Sequence, residues 1–202
     1  MIHDPRAGAR RTASSAFKLG HAVATKGRHL GAYLLLIVLV YREDSSMNML
    51  IEGANFHGAK LALYVGNKLA VILRDDNPDI PWPNHWDMPG GGREGDESPL
   101  ECVLRETWEE LGVHVDPRRV SWGKRFDHPS CDKWFFVARV PASVGADIKL
   151  GDEGQMWRLM SSKQYFETPN HIPRFADRLR LYLSGTAGDW FERTPRNESG
   201  GS

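Results

Sequence analysis

One segment of this sequence, residues 98–112, carries the signals of a helix with two opposed faces, and it constrains the fold more than any other. Pro99 stands in the expected first turn and Gly112 directly follows the last apolar residue, which are typical helix start and stop signals. Because an apolar stripe must be covered by other elements, we expect a helix over 98–111 within a layered domain. At helical spacing, an apolar and an acidic stripe lie on opposite sides: Leu100, Val103, Leu104, Thr107 and Leu111 against Glu106, Glu109 and Glu110.

Short apolar runs on both sides of this helix predict strands and a second helix. Residues 60–65 and 68–73 flank the dipeptide Gly66-Asn67, which supports positive φ in a two-residue turn, so they predict a β-hairpin. Strands and helices in this order predict an α/β or α+β layered fold. The remaining predicted elements are strands over 120–126, 134–140 and 155–159, and an amphipathic helix over 172–183.

The composition is that of an ordinary globular protein with no bias toward charged partners. A length of 202 residues suits about one domain, and 26 basic residues balance 26 acidic ones. Without net charge, no global field favours a nucleic acid or an anionic membrane. The two cysteines, Cys102 and Cys131, make neither a disulfide framework nor a zinc quartet. We therefore expect a cytoplasmic protein with a small-molecule partner, without nucleic acid and without a membrane.

Both ends of the chain differ from its middle. Residues 1–49 are poorly patterned, and their apolar run over 30–41 follows a basic leader, as in a signal peptide. The run lacks a cleavage signal and is shorter than the ~20 residues of a membrane span. A translation start near Met47 is the alternative that we favour. We expect an N-terminal extension over 1–49, one domain over 50–183 and a frayed tail over 184–202.

The acidic stripe raises the question of a metal site. Its three glutamates stand at i, i+3 and i+4 and repel one another, so the stripe is either a solvated charged face or the binding site of a cation. Carboxylates without His or Cys select a hard ion, Mg²⁺ or Mn²⁺, and bound Mg²⁺ commonly also contacts substrate phosphates. Arg105, four residues before Glu109, and Glu97, at the helix start, are placed to hold the glutamates in position.

The spacing of these residues resembles a known family signature. Gly91, five residues, Glu97, seven residues and then the run from Arg105 to Val113 follow the pattern G-x5-E-x7-R-E-U-x-E-E-x-G-U, in which U is bulky and apolar. This pattern is the Nudix box, and every fixed position of it is matched. The only departure is Thr107 at the first U position, where a β-branched side chain keeps a methyl group for the core. The resemblance therefore favours the metal site over the solvated face.

The resemblance implies a fold, a reaction and a set of roles. Nudix proteins have an α/β/α sandwich with a mixed sheet between helices. They hydrolyse a nucleoside diphosphate linked to another group, using Mg²⁺ or Mn²⁺, and metals held by carboxylates suit this chemistry because they neutralise the phosphates and activate water. Glu97 and Arg105 match the orienting pair. The implied metal ligands are Glu106, Glu109, Glu110 and the carbonyl oxygen of Gly90.

A general base is also implied, and the family places it either on a box glutamate or on a later loop. The first position matches Glu106. The second matches the acidic loop over 150–155, where Glu153 is the candidate and Asp152 a competing choice. At the level of sequence, Glu106 and Glu153 are equally good candidates.

Three residues are candidates for substrate binding. Pro129 stands 16 residues after the box, where some members that cleave ADP-ribose carry a proline. Trp86, like Trp82, offers a ring for stacking on a base, although core packing is the competing interpretation of Trp86. Arg93 offers a positive charge to a phosphate.

These features together predict a metal-dependent pyrophosphohydrolase with an ADP-ribose-like substrate. One alternative is a nucleoside triphosphate pyrophosphohydrolase that clears damaged nucleotides. Another is a non-catalytic Nudix module that senses a nucleotide, but such a module usually lacks box glutamates, and this sequence has all of them. The sequence does not decide between a monomer and a homodimer, because exposed apolar residues on the strands would suit an interface.

Overall fold

The structure is a computed structural model and describes residues 55–129 and 131–188. None of the helices in this part of the chain has the length and apolar composition that crossing a membrane requires. The predicted extension over 1–49 and residues 189–202 of the predicted tail lie outside the described residues. In chain order the elements are β1 (Phe56–Val65), β2 (Lys68–Leu73), β3 (Trp86–Asp87), α1 (Pro99–Leu111), β4 (Val120–Phe126), β5 (Asp132–Val140), β6 (Met156–Met160), α2 (Ser162–Glu167) and α3 (Pro173–Leu183).

The strands form one mixed sheet in the order β3-β2-β1-β5-β4, with β6 paired to β2. The predicted hairpin is confirmed, because β1 and β2 pair antiparallel around a turn in which Gly66 has a φ of 61°. β1 and β5 run parallel, whereas the other pairs are antiparallel. The connection between parallel strands has to cross over the sheet, and α1 lies on that path.

Side chains alternate between the two faces of the sheet, and each face is covered by a helix. On one face, Phe175 and Leu179 of α3 join a buried cluster. On the other face, α1 packs against β1. The predicted α/β fold with a mixed sheet between helices is therefore confirmed. The α3 face includes Ala62, Tyr64, Phe135 and Val137, and the alternate buried residues are Leu61, Leu63, Phe136 and Ala138.

Local contacts explain why α1 begins and ends where the sequence predicts. The Ser98 hydroxyl accepts a hydrogen bond from the Glu101 backbone N–H at 3.2 Å, and the Glu101 carboxylate accepts one from the Ser98 N–H at 2.8 Å. At the other end, Gly112 has a φ of 66° and donates its N–H to the carbonyl of Trp108. The whole predicted apolar stripe is buried.

A glycine-rich loop, residues 89–92, runs beside β1 where β2 no longer pairs with it. The Leu61 N–H donates to the Pro89 carbonyl at 2.8 Å, and the Ala59 N–H donates to the Gly91 carbonyl at 3.0 Å. The close approach requires glycine at Gly90, which has a φ of 125° and where a Cβ would lie 2.3 Å from the Ala59 oxygen. The loop is therefore held as a rigid extension of the sheet.

Two short elements were not predicted from the sequence. The two-residue strand β3 lies between loop signals, and only its pairing with Ile72 and Leu73 of β2 makes it a strand. Helix α2 is six residues long, which is too short for a hydrophobic period to show. In addition, β1 begins four residues earlier than the predicted strand, because its first half pairs with β5.

We predict that Gly90→Ala destabilises the protein much more than Gly95→Ala. Both glycines have positive φ, but an added Cβ at Gly95 meets nothing within 4 Å, whereas at Gly90 it meets backbone of β1. We expect a loss of about 1 kcal/mol in the free energy of unfolding for Gly95→Ala and about 3 kcal/mol or more for Gly90→Ala. Urea denaturation measures both, and equal losses would contradict the close approach.

Candidate active site

Arg105 is the centre of an ion network along the acidic face of α1. Its guanidinium donates to both carboxylate oxygens of Glu97, at 3.0 and 2.8 Å, and to the Gly92 carbonyl at 3.0 Å. The remaining nitrogen contacts Glu109 at 2.8 Å and Glu106 at 3.1 Å. The hydrogen bonds to Glu97, followed by the charges of the other glutamates, raise the pKa of Arg105. The predicted orienting pair is thus brought together, and it links the glycine-rich loop to the acidic stripe.

Glu106 lies directly under the glycine-rich loop. A Cβ on Gly91 would fall within 2.6 Å of all three carboxyl atoms of Glu106, so only glycine leaves room for this carboxylate. Burial raises the pKa of Glu106, although Arg105 acts in the opposite direction. A half-buried carboxylate whose charge is only partly offset by its neighbours suits the binding of an additional cation.

Glu110 is hydrogen-bonded to the same loop. Its carboxylate accepts a hydrogen bond from the Gly90 N–H at 2.8 Å. Burial raises its pKa to about 7, against the lowering effects of Lys60 and of the Gly90 N–H. Gly90 is therefore next to the acidic stripe, as the sequence predicts, but its observed contact is through its N–H and not through the predicted carbonyl ligand.

Lys60 and Asp87 form a largely buried ion pair beside Glu110, and sequence reasoning missed it. Lys60 Nζ donates to the Asp87 carboxylate and to the Met88 carbonyl, both at 2.9 Å, and Arg74 contacts the same Asp87 oxygen at 3.1 Å. Burial lowers the pKa of Lys60, but Asp87 and Glu110 outweigh this effect and the net shift is upward. The sequence carried no clear signal for it, because Lys60 is the first residue of the predicted strand, and only the pairing of β1 with β5 from Phe56 onward places it inside the strand.

The donor set on α1 fits a hard divalent cation, because all its ligands are carboxylate oxygens. Within residues 55–129 and 131–188, no three acidic, imidazole or thiol groups are gathered closely enough to hold a metal ion. The carboxylates of Glu106 and Glu109 form ion pairs with Arg105 instead, and the carboxylate of Glu110 accepts a hydrogen bond from the Gly90 N–H. The three glutamates still share one side of α1, because Glu106 lies one turn before Glu109 and Glu110.

The loop before β6 is attached to the end of α1, which brings Glu153 to the site. The Lys149 N–H donates to the Leu111 carbonyl at 3.0 Å, and the Gly151 N–H donates to the Glu110 carbonyl at 2.9 Å. A Cβ on Gly151 would lie 1.9 Å from the backbone carbonyl oxygen of Glu109, so this attachment requires glycine. Glu153 is exposed on the loop beyond it.

A shallow, open cleft lies between this loop and the loop that follows β2. Glu110 and Glu153 both line it, so the structure brings these two predicted site residues to one cavity. The Gln155 side chain connects the two loops by donating to the Arg74 carbonyl and to the Asn84 side chain, both at 2.7 Å. The other lining residues are Ile72, Arg74, Asp75, Ile80, Asp87, Met88 and Gly154.

The predicted substrate-binding residues lie elsewhere, and among the described residues none of them lines this cleft. Trp86 is 6% exposed in β3, with the Arg158 guanidinium 5.3 Å from its ring, so it packs in the core. Arg93 donates to the Glu97 carbonyl at 3.1 Å and lies over the Phe56 ring. Pro129 is exposed between β4 and β5. Their roles in binding stay predictions.

Comparison with known protein families supports the family resemblance found in the sequence. The family model of the NUDIX domain matches residues 57–181, which is more than half of the chain. The chain therefore belongs to the Nudix family, and the assignment made from residues 91–113 is confirmed.

Individual relatives are similar over shorter stretches. An RNA pyrophosphohydrolase of Cereibacter sphaeroides is 33% identical over 91 residues, which are 45% of this chain and 46% of that protein. A MutT-like protein of Streptomyces ambofaciens is 43% identical over 49 residues, 24% of this chain and 28% of that protein. The chain thus spans about half the length, or less, of these curated relatives. A MutT protein from Methanosarcina mazei Go1 has a solved structure with a TM-score of 0.52 and 22% identity, covering 67% of this chain and 99% of that one, and it shows the shared fold.

We predict that Cys102 reacts slowly with thiol reagents in the folded protein. Cys102 is fully buried on α1, its thiol contacts the Gly92 carbonyl at 3.4 Å, and burial, followed by the charge of Glu97, raises its pKa to about 12. The thiolate fraction is therefore about 10³-fold lower than for an ordinary cysteine. Labelling a Cys131→Ser variant isolates Cys102, and modification that is equally fast with and without denaturant would contradict this burial.

Proposed function

We propose that this chain is a metal-dependent hydrolase that cleaves the pyrophosphate bond of a nucleoside diphosphate linked to another group. The observation that carries the proposal is the network on α1, in which Glu97 holds Arg105 and Arg105 contacts Glu106 and Glu109. Like charges crowded on one helix face reduce stability, so a purely structural role does not explain them. A cytoplasmic location stays part of the proposal.

In this proposal Glu106, Glu109, Glu110 and the Gly90 carbonyl hold the metal. Mg²⁺ is the proposed ion and Mn²⁺ a substitute, because all the ligands are oxygen atoms. When bound, the ion neutralises charge on the phosphate oxygens and makes a water molecule more acidic.

The chain's own residues orient this site. Glu97 uses both carboxylate oxygens on Arg105, which fixes the plane of the guanidinium. Arg105 then holds Glu106 and Glu109 on the same side of α1, and Lys60 offsets the charge of Glu110 from the other side. The glycine-rich loop places its backbone directly against the carboxylate of Glu106, since a Cβ on Gly91 would lie within 2.6 Å of it.

We propose Glu153 as the general base. It is exposed on a loop attached to the end of α1, and it lines the cleft together with Glu110. Glu106, the alternative, already contacts Arg105 at 3.1 Å and lies under the loop. An exposed carboxylate at the cleft is better placed to take a proton from an attacking water.

An ADP-ribose-like compound is the first candidate substrate. Pro129 supports it by its position in the sequence. Trp82 supports a nucleotide more generally, because it is 37% exposed on the loop that borders the cleft and has a φ of 59°. A bulky residue in this backbone region is strained, and such strain is common at ligand sites.

A 5′-phosphorylated RNA end is the second candidate. The RNA pyrophosphohydrolase of Cereibacter sphaeroides is similar over 91 residues, a longer stretch than the MutT-like relative. This candidate differs from the expectation of a partner without nucleic acid, which rested on net charge over the whole chain. Local charge decides binding when net charge is zero.

We predict hydrolysis that depends on a divalent metal and on Glu109. Purified protein is incubated with Mg²⁺ or Mn²⁺ and separately with ADP-ribose, 8-oxo-dGTP, diadenosine tetraphosphate and a 5′-triphosphorylated RNA, and products are separated by anion exchange. Excess EDTA should abolish activity, and Glu109→Gln should lower kcat by about 10²-fold or more, because a metal ligand is lost.

The matched control is Glu167→Gln, which removes one exposed charge on α2, where it pairs with Lys163. It should leave kcat within twofold. AMP and ribose phosphate from ADP-ribose would favour the first substrate, and pyrophosphate release from RNA the second. Nucleotide binding without any cleavage would contradict the enzyme and favour a sensor.

We predict that Glu153→Gln lowers kcat by about 10²-fold while KM changes little, because a general base acts on the proton of the attacking water. The same measurement on Asp152→Asn, one residue away and also exposed, should show no comparable loss. A near-normal kcat for Glu153→Gln would assign the base to Glu106, and a loss only in Asp152→Asn would assign it to Asp152.

A further inference from the structure

Three basic side chains meet on the α3 face of the sheet, and the proposed catalytic site does not use them. Lys133 is the second residue of β5, and Arg174 and Arg178 lie one turn apart on α3. The Arg178 guanidinium stands 4.2 Å from the Phe126 ring and 5.7 Å from the Phe175 ring, and that of Arg174 stands 5.0 Å from the Phe175 ring. We call Lys133, Arg174 and Arg178 the basic cluster.

The basic cluster has no carboxylate partner within residues 55–129 and 131–188. The acidic residues nearest to it in sequence are engaged elsewhere. Asp132 contacts Arg125 at 3.6 Å, and Asp177 contacts Arg180 at 2.8 Å. The guanidinium groups of Arg174 and Arg178 lie over aromatic rings instead, and both act electrostatically on Lys133.

This arrangement reduces the stability of the folded chain. Burial, followed by the charges of Arg174 and Arg178, lowers the pKa of Lys133. Burial and Arg174 lower the pKa of Arg178 to about 10. Contacts with Phe126 and Phe175 offset part of the repulsion but neutralise none of the charge. Among the described residues, no acidic side chain offsets this charge.

One aromatic ring connects the basic cluster to the ion pair beside Glu110. Lys60 Nζ, which is bonded to Asp87 beside Glu110, is 5.8 Å from the centroid of the Phe175 ring that Arg174 and Arg178 also contact. A second connection runs through the sheet, because Lys133 pairs with Gly58 of β1, and Gly58 forms a bridge to Gly92 of the glycine-rich loop.

We propose that the basic cluster binds phosphate groups of the substrate beyond the pyrophosphate that is cleaved. The inference rests on the proposed function, since it takes the glutamate face of α1 as the place of cleavage. A substrate with two phosphates, such as ADP-ribose, has both of them at that face. Three additional cations match a substrate that carries further phosphates, either a nucleoside polyphosphate or the phosphodiester chain of RNA.

The test is the double variant Lys133→Gln/Arg174→Gln. Arg178 is retained because it packs on Phe126 and Phe175 and supports the fold. The matched control is Arg180→Gln, which removes one positive charge from an exposed position of the same helix, where it pairs with Asp177. Steady-state kinetics are measured with ADP-ribose, with ATP and with a 5′-triphosphorylated single-stranded RNA.

The expected result is a rise in KM of about tenfold for ATP, for the RNA or for both, with kcat within twofold, because phosphate contacts contribute to binding and not to chemistry. KM for ADP-ribose should stay within twofold, and Arg180→Gln should change neither. A rise for both ATP and RNA identifies polyphosphate groups as the ligand, and a rise for RNA alone identifies phosphodiesters. An unchanged KM for ATP and RNA, or an equal rise for ADP-ribose, would overturn the proposal.

Binding measurements distinguish a failure of this proposal from a failure of the proposed function. Fluorescence anisotropy of a labelled RNA, with unlabelled ATP as competitor, is measured across salt concentrations for the same proteins. In the double variant the slope of log affinity against log salt should fall by about 0.7 per lost phosphate contact. If the unaltered protein cleaves none of the substrates, the proposed function fails. If the double variant also binds RNA and ATP as the unaltered protein does, phosphate binding by the basic cluster is overturned as well.

Discussion

The close packing of the glycine-rich loop against β1 and α1 is the constraint on which the site depends. Gly90 approaches the backbone of β1, and Gly91 covers the carboxylate of Glu106, so both positions exclude any side chain. Gly151 does the same at the far end of α1, where it attaches the loop of Glu153. Backbone packing at these three glycines therefore places residues from distant parts of the chain around one helix face.

Ion pairs with basic residues then offset the repulsion among the glutamates of α1. Arg105 contacts Glu97, Glu106 and Glu109 at once, and its charge is shared among carboxylates that would otherwise repel one another. Glu110 is offset by Lys60 from β1. Burial still raises the pKa of Glu106 and Glu110, so the compensation is incomplete where the proposed metal ligands lie. The basic cluster on the α3 face has the opposite sign and pairs with no carboxylate of the described residues. Two incompletely compensated regions of opposite sign suit a metal-bound polyphosphate.

The residues of the site differ in how far sequence could predict them. The pairing of Glu97 with Arg105 follows from a fixed spacing on one helix and its preceding turn, so it was expected and is observed. The partnership of Lys60 with Asp87 joins two strands 27 residues apart and has no local pattern. Trp86 had two interpretations in the sequence, stacking on a base and packing in the core, and the pairing of β3 with β2 buries its ring.

The sequence by itself determined the helix α1, its caps, the hairpin and the spacing of the acidic residues, because these depend on contacts within a few residues along the chain. It also determined the family, since the box from Gly91 to Val113 is contiguous. Only the tertiary structure decided that Glu153 shares a cleft with Glu110, that Lys60 is paired beside them, and that Lys133 meets Arg174 and Arg178. The physical reason is that these neighbours are set by strand pairing and by close backbone approaches between segments far apart in sequence, which no local periodicity encodes.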